Sequence, residues 1–253
     1  FITFESGNPQ EYLTQIKIGS ASKRWQSAYE LSKILSDPDK VPQGDQFKNS
    51  IISAFEQSKY DDPKVRMYLA LAMGRTGDES YGKALMEAVD DDNAEILTAV
   101  VQSLGLIQYQ PAVGQLSEMA TSSDYQSVRL ASAISLGQIG DRKALPLLKG
   151  LLDDEEANIR WDAAIALAKM GNRSGAGIIN SLMRRSYYEG FREIDDWETE
   201  KAILVAINVA SQLGGSEFLS NLELLAKEDP SMDVRNAAIN ALKSIERMES
   251  VSG

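Results

Sequence analysis

Ser127-Val128-Arg129-Leu130-Ala131-Ser132-Ala133-Ile134-Ser135-Leu136-Gly137-Gln138-Ile139-Gly140-Asp141 reads as one helix with its stop signal attached. Apolar residues recur at three- and four-residue steps, the middle is rich in Ala and Ser, and Gly140 stands where a left-handed residue closes a helix.

The same pattern returns along the chain. Val65-Arg66 leads to Gly74-Arg75-Thr76-Gly77-Asp78, and Ile159-Arg160 leads to Leu167-Ala168-Lys169-Met170-Gly171-Asn172. Val234-Arg235-Asn236-Ala237-Ala238 leads to Ala241-Leu242. Degenerate copies run from Ile96-Leu97 to Gly105 and from Ala202-Ile203 to Gly214, and the first is Lys23-Arg24-Trp25 with Ala28 and Leu31. The anchor position, usually Arg, falls at 24, 66, 97, 129, 160, 203 and 235, giving spacings of 42, 31, 32, 31, 43 and 32. Four spacings near 31 and two about eleven longer define one unit with two insertions, at 37–47 and 186–197. Self-similarity at this period is the signature of a stacked repeat, in which each unit buries its apolar face only against its neighbours.

Each unit reads as two helices. An acidic turn precedes the anchor helix, as at Asp62-Pro63, with Pro at its first position. Gly77, Gly140 and Gly171 end it, and a second amphipathic stretch follows, such as Ala144 to Leu152 with Pro146 in its first turn. No segment alternates with period two, so no sheet is expected. The expected fold is all-α: a right-handed α–α superhelix of about seven helical pairs. It forms one solenoid over 1–253, with anchor helices near 22–36, 63–75, 92–107, 124–138, 156–170, 197–213 and 231–247.

On these motifs the chain resembles HEAT-like repeat proteins of the phycobilisome lyase type, from about residue 9 to 247. The resemblance implies a HEAT-like solenoid. Some members of that group are bilin lyase subunits and many are plain scaffolds, and no catalytic residue of the lyases is matched here. The opening Asn8-Pro9-Gln10-Glu11-Tyr12-Leu13, followed by Arg24-Trp25-Gln26, also resembles bacterial HEAT proteins that follow an N-terminal membrane anchor. The start at Phe1 rather than Met reads as a processed or trimmed product. The reading favours the cytoplasm, with a tether through a preceding segment as the alternative.

Composition narrows the function. A net charge of −11 repels phosphate backbones at long range, so nucleic acid is a poor partner. The absence of Cys and His removes thiolate chemistry, thiolate metal sites and the commonest general base. Asp90-Asp91-Asp92 and Asp153-Asp154-Glu155-Glu156 are oxygen-only clusters, but they fall in turns before anchor helices, where caps and dipole-complementary acids belong. The repeated Arg beside repeated Asp reads as an inter-repeat ladder of charge-assisted hydrogen bonds. No catalytic residue, metal site or cofactor is expected, and no run of apolar residues is long enough to span a membrane.

The binding surface follows from helical geometry. With the anchor at 0° and about 100° per residue, positions −1, +3, +7 and +10 fall between about 260° and 340° and form the core stripe. Positions +1 and +5 fall roughly opposite and should line a concave groove. Most are apolar: Trp25 and Tyr29, Met67 and Leu71, Leu130 and Ile134, Trp161 and Ile165, then Leu204 with the polar Asn208, whereas Thr98 with Gln102 and Asn236 with Asn240 are polar. The +9 residues Lys33, Arg75, Gln138, Lys169 and Gln212 are polar. A contiguous apolar stripe marks a contact surface; the competing reading is an extended core tucked in by curvature.

The 186–197 insertion carries Tyr187, Tyr188, Phe191 and Trp197 in an aromatic-poor chain. It is either a recognition loop or a cap folded back on neighbouring helices. The polar 37–47 insertion reads as a linker. The expected function is a non-enzymatic protein-interaction scaffold that binds a partner protein or peptide in the groove. A lyase-like or chaperone-like subunit holding a small cofactor, and an assembly protein, are the alternatives.

Overall fold

The computed structural model describes residues 8–252, with the side chains of 249, 251 and 252 left aside. The Phe1 start and any upstream tether lie outside the described residues. Among those residues every regular element is helical, as expected. The chain divides into two compact units, Phe1–Asp141 and Arg142–Gly253.

The first unit holds α1 (Pro9–Ile18), α2 (Ala21–Ile34), α3 (Asp45–Gln57), α4 (Pro63–Arg75), α5 (Gly82–Met86), α6 (Ala94–Leu106), α7 (Val113–Ser122) and α8 (Gln126–Ile139). The second holds α9 (Leu145–Gly150), α10 (Ala157–Lys169), α11 (Ala176–Leu182), α12 (Arg185–Tyr188), α13 (Asp196–Leu213), α14 (Leu219–Glu228) and α15 (Met232–Ser252). The anchor helices are α2, α4, α6 and α8, then α10, α13 and α15. Within each unit they lie side by side, each packed on the next.

Local chemistry accounts for the helix ends. The Asp62 carboxylate accepts from Lys64 N and Pro63 opens α4. Gly77, Gly140 and Gly171 adopt φ of 69°, 71° and 71°, the left-handed stops read from the repeat. Asp195 and Glu198 form a reciprocal capping box at the start of α13.

Packing between anchor helices in the first unit depends on small residues. A Cβ on Gly74 would stand 2.6 Å from Cβ of Ser103, and one on Gly105 would stand 2.6 Å from Cβ of Ser135. The approach is close enough for Ser103 Oγ to donate to Ala70 O at 2.8 Å, and Ser135 Oγ to Val101 O at 2.9 Å. These bonds tie α6 to α4 and α8 to α6 through the backbone.

The anchor arginines divide into two groups. Arg24 pairs with Asp61, and Arg66 donates to Asp91 at 3.0 Å and to Phe55 O at 2.9 Å while stacking on the Phe55 ring. Each of these reaches the turn of the next repeat, as the ladder reading required. Leu97 has no guanidinium, and beyond it the arrangement changes. Arg129 donates back to Ser123 O at 2.8 Å, Arg160 to Asp154 O at 2.7 Å, and Arg235 to Asp229 O. Those three lock the turn that opens their own helix. The two acidic clusters supply turn bonds of the kind expected: Asp91 accepts from Asn93 N, and Asp154 from Glu156 N.

Candidate functional site

All ten +1 and +5 residues named from the sequence stay out of the fully buried set. In the first unit, Trp25, Met67, Leu71, Leu130 and Ile134 are half-buried and Tyr29 is 39% exposed. The Trp25 ring lies 5.2 Å from the Lys64 ammonium. Tyr29 meets the Tyr68 ring edge-on at 5.1 Å and lies 5.0 Å from Lys33 Nζ. The contacts with Lys64 and Tyr68 join Trp25 and Tyr29 to the neighbouring anchor helix α4, so these two side chains are part of a lateral seam as well as of a partly exposed row.

In the second unit, Trp161, Ile165 and Leu204 are half-buried and Asn208 is exposed. Between α13 and α15 lies a hollow of about 230 Å³ lined by Leu204, Ile207, Asn208, Ser211, Ala237, Asn240 and Ala241. Its floor is apolar. Its rim carries two amides, one from the +5 position of each helix, and neither side chain makes a hydrogen bond among the described residues.

The insertion aromatics separate into two sets. Tyr187, Tyr188 and Phe191 converge on Trp161, with ring centroids 6.0, 6.1 and 4.9 Å away. Trp161 Nε1 donates to the Tyr187 hydroxyl at 3.1 Å. Tyr188 is 4% exposed and its hydroxyl donates to Leu182 O at 2.8 Å, which makes it core rather than contact surface. Burial pushes its hydroxyl pKa up, and the neighbouring Tyr187 adds to the shift. For these three rings the folded-back arrangement is the observed one, because an edge-to-face cluster buries more ring surface than an open loop would.

Trp197 behaves differently. The capping box starts α13 at Asp196, so Trp197 belongs to that helix and not to the loop. It is 63% exposed with Lys201 Nζ over its ring. Helical spacing puts Trp197, Lys201, Leu204 and Asn208 on one face of α13, in line with the hollow.

Two members of this surface escaped the sequence reading. Asp162, at +2 of α10, makes no hydrogen bond or ion pair among the described residues. Burial raises its pKa to about 6, and Lys169 on the same helix partly offsets that. Val205, the +2 residue of α13, is exposed. The +2 column, Gln26, Tyr68, Ala99, Ala131, Asp162, Val205 and Ala237, is chemically mixed from repeat to repeat and carries no pattern that marks a surface.

Residues 53–136 and 115–193 match the family described as HEAT repeats. A stretch of 71 residues is 34% identical to the uncharacterized phycocyanin operon protein Y of Pseudanabaena tenuis, covering 27% of this chain and 17% of that protein. Among solved structures, the complex of CpcE and CpcF of phycocyanin lyase from Nostoc is similar with a TM-score of 0.61 and 16% identity, over 97% of this chain and 99% of that one. YibA of Escherichia coli is similar with a TM-score of 0.54 and 14% identity, over 94% of this chain and 82% of that one. At such identities the likeness concerns the fold. No helix among the described residues is long and apolar enough to cross a membrane.

Proposed function

We propose, from the premise that this chain belongs to the HEAT-repeat family, that it is a non-enzymatic scaffold holding a segment of another protein against the exposed face of its anchor helices. The observation that carries the reading is the hollow between α13 and α15. It offers apolar contact from Leu204, Ile207 and Ala241 beside the unused amide groups of Asn208 and Asn240. Main-chain N–H and C=O groups of a docked segment need such amides, and its side chains need such a floor. Trp197, Lys201 and Val205 extend the same face along α13, and Trp25, Tyr29, Met67, Leu71, Leu130 and Ile134 offer a comparable row in the first unit.

Peptides selected from a random display library on the full chain test the proposal. Selected peptides are expected to lose affinity on Leu204→Asp and on Asn208→Ala, and to keep it on Leu224→Ser, a change on the exposed part of α14 away from the hollow. Peptides indifferent to Leu204 and Asn208 would refute the groove assignment.

A second reading is supported by the likeness to CpcE and CpcF of phycocyanin lyase. There the same face would hold a small cofactor for a lyase-like or chaperone-like role. Visible absorbance of protein purified from its native host separates the two: a coloured protein favours the cofactor, a colourless one the peptide.

A further inference from the structure

The 37–47 insertion, read from the sequence as a linker, forms one wall of a cleft of about 400 Å³ in the first unit. That volume lies within the range of small-molecule sites, about 300–1,000 Å³. Pro38 opens a short 3₁₀ turn capped by the Asp37 carboxylate. Gly44 follows at φ +96°, and a Cβ built there meets nothing within 4 Å, so its backbone faces open space. The 13-residue helix α3 starts at Asp45 with no side-chain cap. The first-turn N–H groups of a helix have no intrahelical partner, so this end presents free donors.

The opposite wall carries the second observation. Tyr81 lines the cleft, is 2% exposed, and its hydroxyl makes no hydrogen bond among the described residues. The ring is buried while the hydroxyl tip remains accessible at the cleft, so it is free to donate to a molecule bound there. Burial raises its pKa, and the Asp78 charge adds to this, so it stays protonated and able to donate.

The charges in the cleft already answer one another. Lys48 Nζ lies 3.1 Å from Asp78 and 4.0 Å from Asp45. Burial works against the Asp78 carboxylate, and hydrogen bonds from Ser80 and Lys48 outweigh it, so it stays ionised. An anion would meet two carboxylates and a chain of net charge −11. A cation would compete with Lys48. What remains unmatched is a set of neutral donors beside carboxylate acceptors.

We propose that this cleft binds a neutral, multiply hydroxylated small molecule, a polyol or sugar. Its hydroxyl groups accept from Tyr81 and the start of α3, donate to Asp45 and Asp78, and rest a C–H face on Pro38 and Pro42. This site is separate from the anchor-helix face and does not depend on its assignment.

The test uses the full chain with D-glucose as probe, followed by ligand-observed NMR, with glycine and inorganic phosphate as comparison probes. Glucose is expected to bind, and Tyr81→Phe to weaken it about fivefold, the net worth of one well-placed hydrogen bond. Thermal stability should not fall, because the hydroxyl bonds nothing within the fold. Asp45→Ala, at a well-exposed side chain, should weaken binding severalfold without touching the core. Silence with glucose, binding indifferent to both substitutions, or preference for glycine or phosphate would each overturn the assignment.

Discussion

The indole nitrogen of Trp161 donates to the Tyr187 hydroxyl at 3.1 Å, so a residue of the anchor-helix row is joined to the 186–197 insertion. Trp161 therefore has two roles, in the packing of the second unit and in the proposed surface. Tyr187→Phe keeps the ring contacts and removes one bond; it should cost about 1 kcal/mol by denaturant titration. Trp161→Ala empties a cluster of four rings and should cost about 3–5 kcal/mol. Binding assays at Trp161 therefore need a stability control, whereas Asn208 is a cleaner probe.

Arg66 and Arg129 occupy the same position in two copies of the motif, one on either side of the Leu97 copy, and should respond differently to removal. Arg66 is 6% exposed and bridges Asp91 and Phe55 O. Arg66→Ala strands a largely buried carboxylate and a carbonyl, so a loss of about 3–5 kcal/mol is expected. Arg129→Ala frees one turn carbonyl of a partly exposed region, and a loss of about 1 kcal/mol is expected. Equal losses at the two sites would contradict the division between inter-repeat and turn-locking arginines.

Gly74 offers a third check on packing. An added methyl group would press against Cβ of Ser103 and, at 2.7 Å, its Cα, so a side-chain rotation cannot relieve it. Gly74→Ala should cost about 1–3 kcal/mol despite its better helix propensity. Gly114, whose added Cβ meets nothing within 4 Å, should gain stability from the same change by about 0.5–1 kcal/mol. Paired thermal melts of the two variants measure the contrast.

How far the sequence reached is clear at particular residues. The period, the anchor positions and the glycine stops at 77, 140 and 171 were legible because a stacked repeat restates one local solution in every unit. That the +1 and +5 residues lie outside the fully buried core was legible because helix geometry is regular, but most of them are half-buried rather than exposed. Three features depended on tertiary contact and left no local trace. Tyr187, Tyr188 and Phe191 carry aromatic character but no signal of where they fold. The 37–47 insertion has the composition of a linker, and only its position against Tyr81 makes it a wall. The switch from ladder to turn lock after Leu97 follows from which acceptor lies within reach, which the spacing of Arg and Asp does not specify.

Ser132 should be improved by deletion. Its Oγ is buried in α8 with no hydrogen-bond partner. Ser132→Ala removes the unmatched hydroxyl and raises helix propensity, so a gain of about 1 kcal/mol is expected in chemical denaturation. A loss would mean that the hydroxyl has a partner, such as a bound water, in solution.

Asp162 predicts a pH dependence with a definite sign. Burial raises its folded pKa to about 6, with Lys169 opposing, against an ordinary value of 3.8. Between these values the native state keeps a proton that the unfolded chain has released. Stability from this group is therefore present in full below about pH 4 and is lost as pH rises through about 6, the reverse of a carboxylate held by a salt bridge. The shift is worth about 2–3 kcal/mol at most. Asp162→Asn cannot ionise, so it should be more stable than the wild type at pH 7.5 by about 1–2 kcal/mol, after allowing for the polar amide left in the same surroundings. The advantage should shrink to near zero by pH 4.5. Melting curves of both proteins across that range give the answer: a constant difference would mean that Asp162 titrates normally, and a difference growing toward acid would mean that it is held as a carboxylate by a partner in solution.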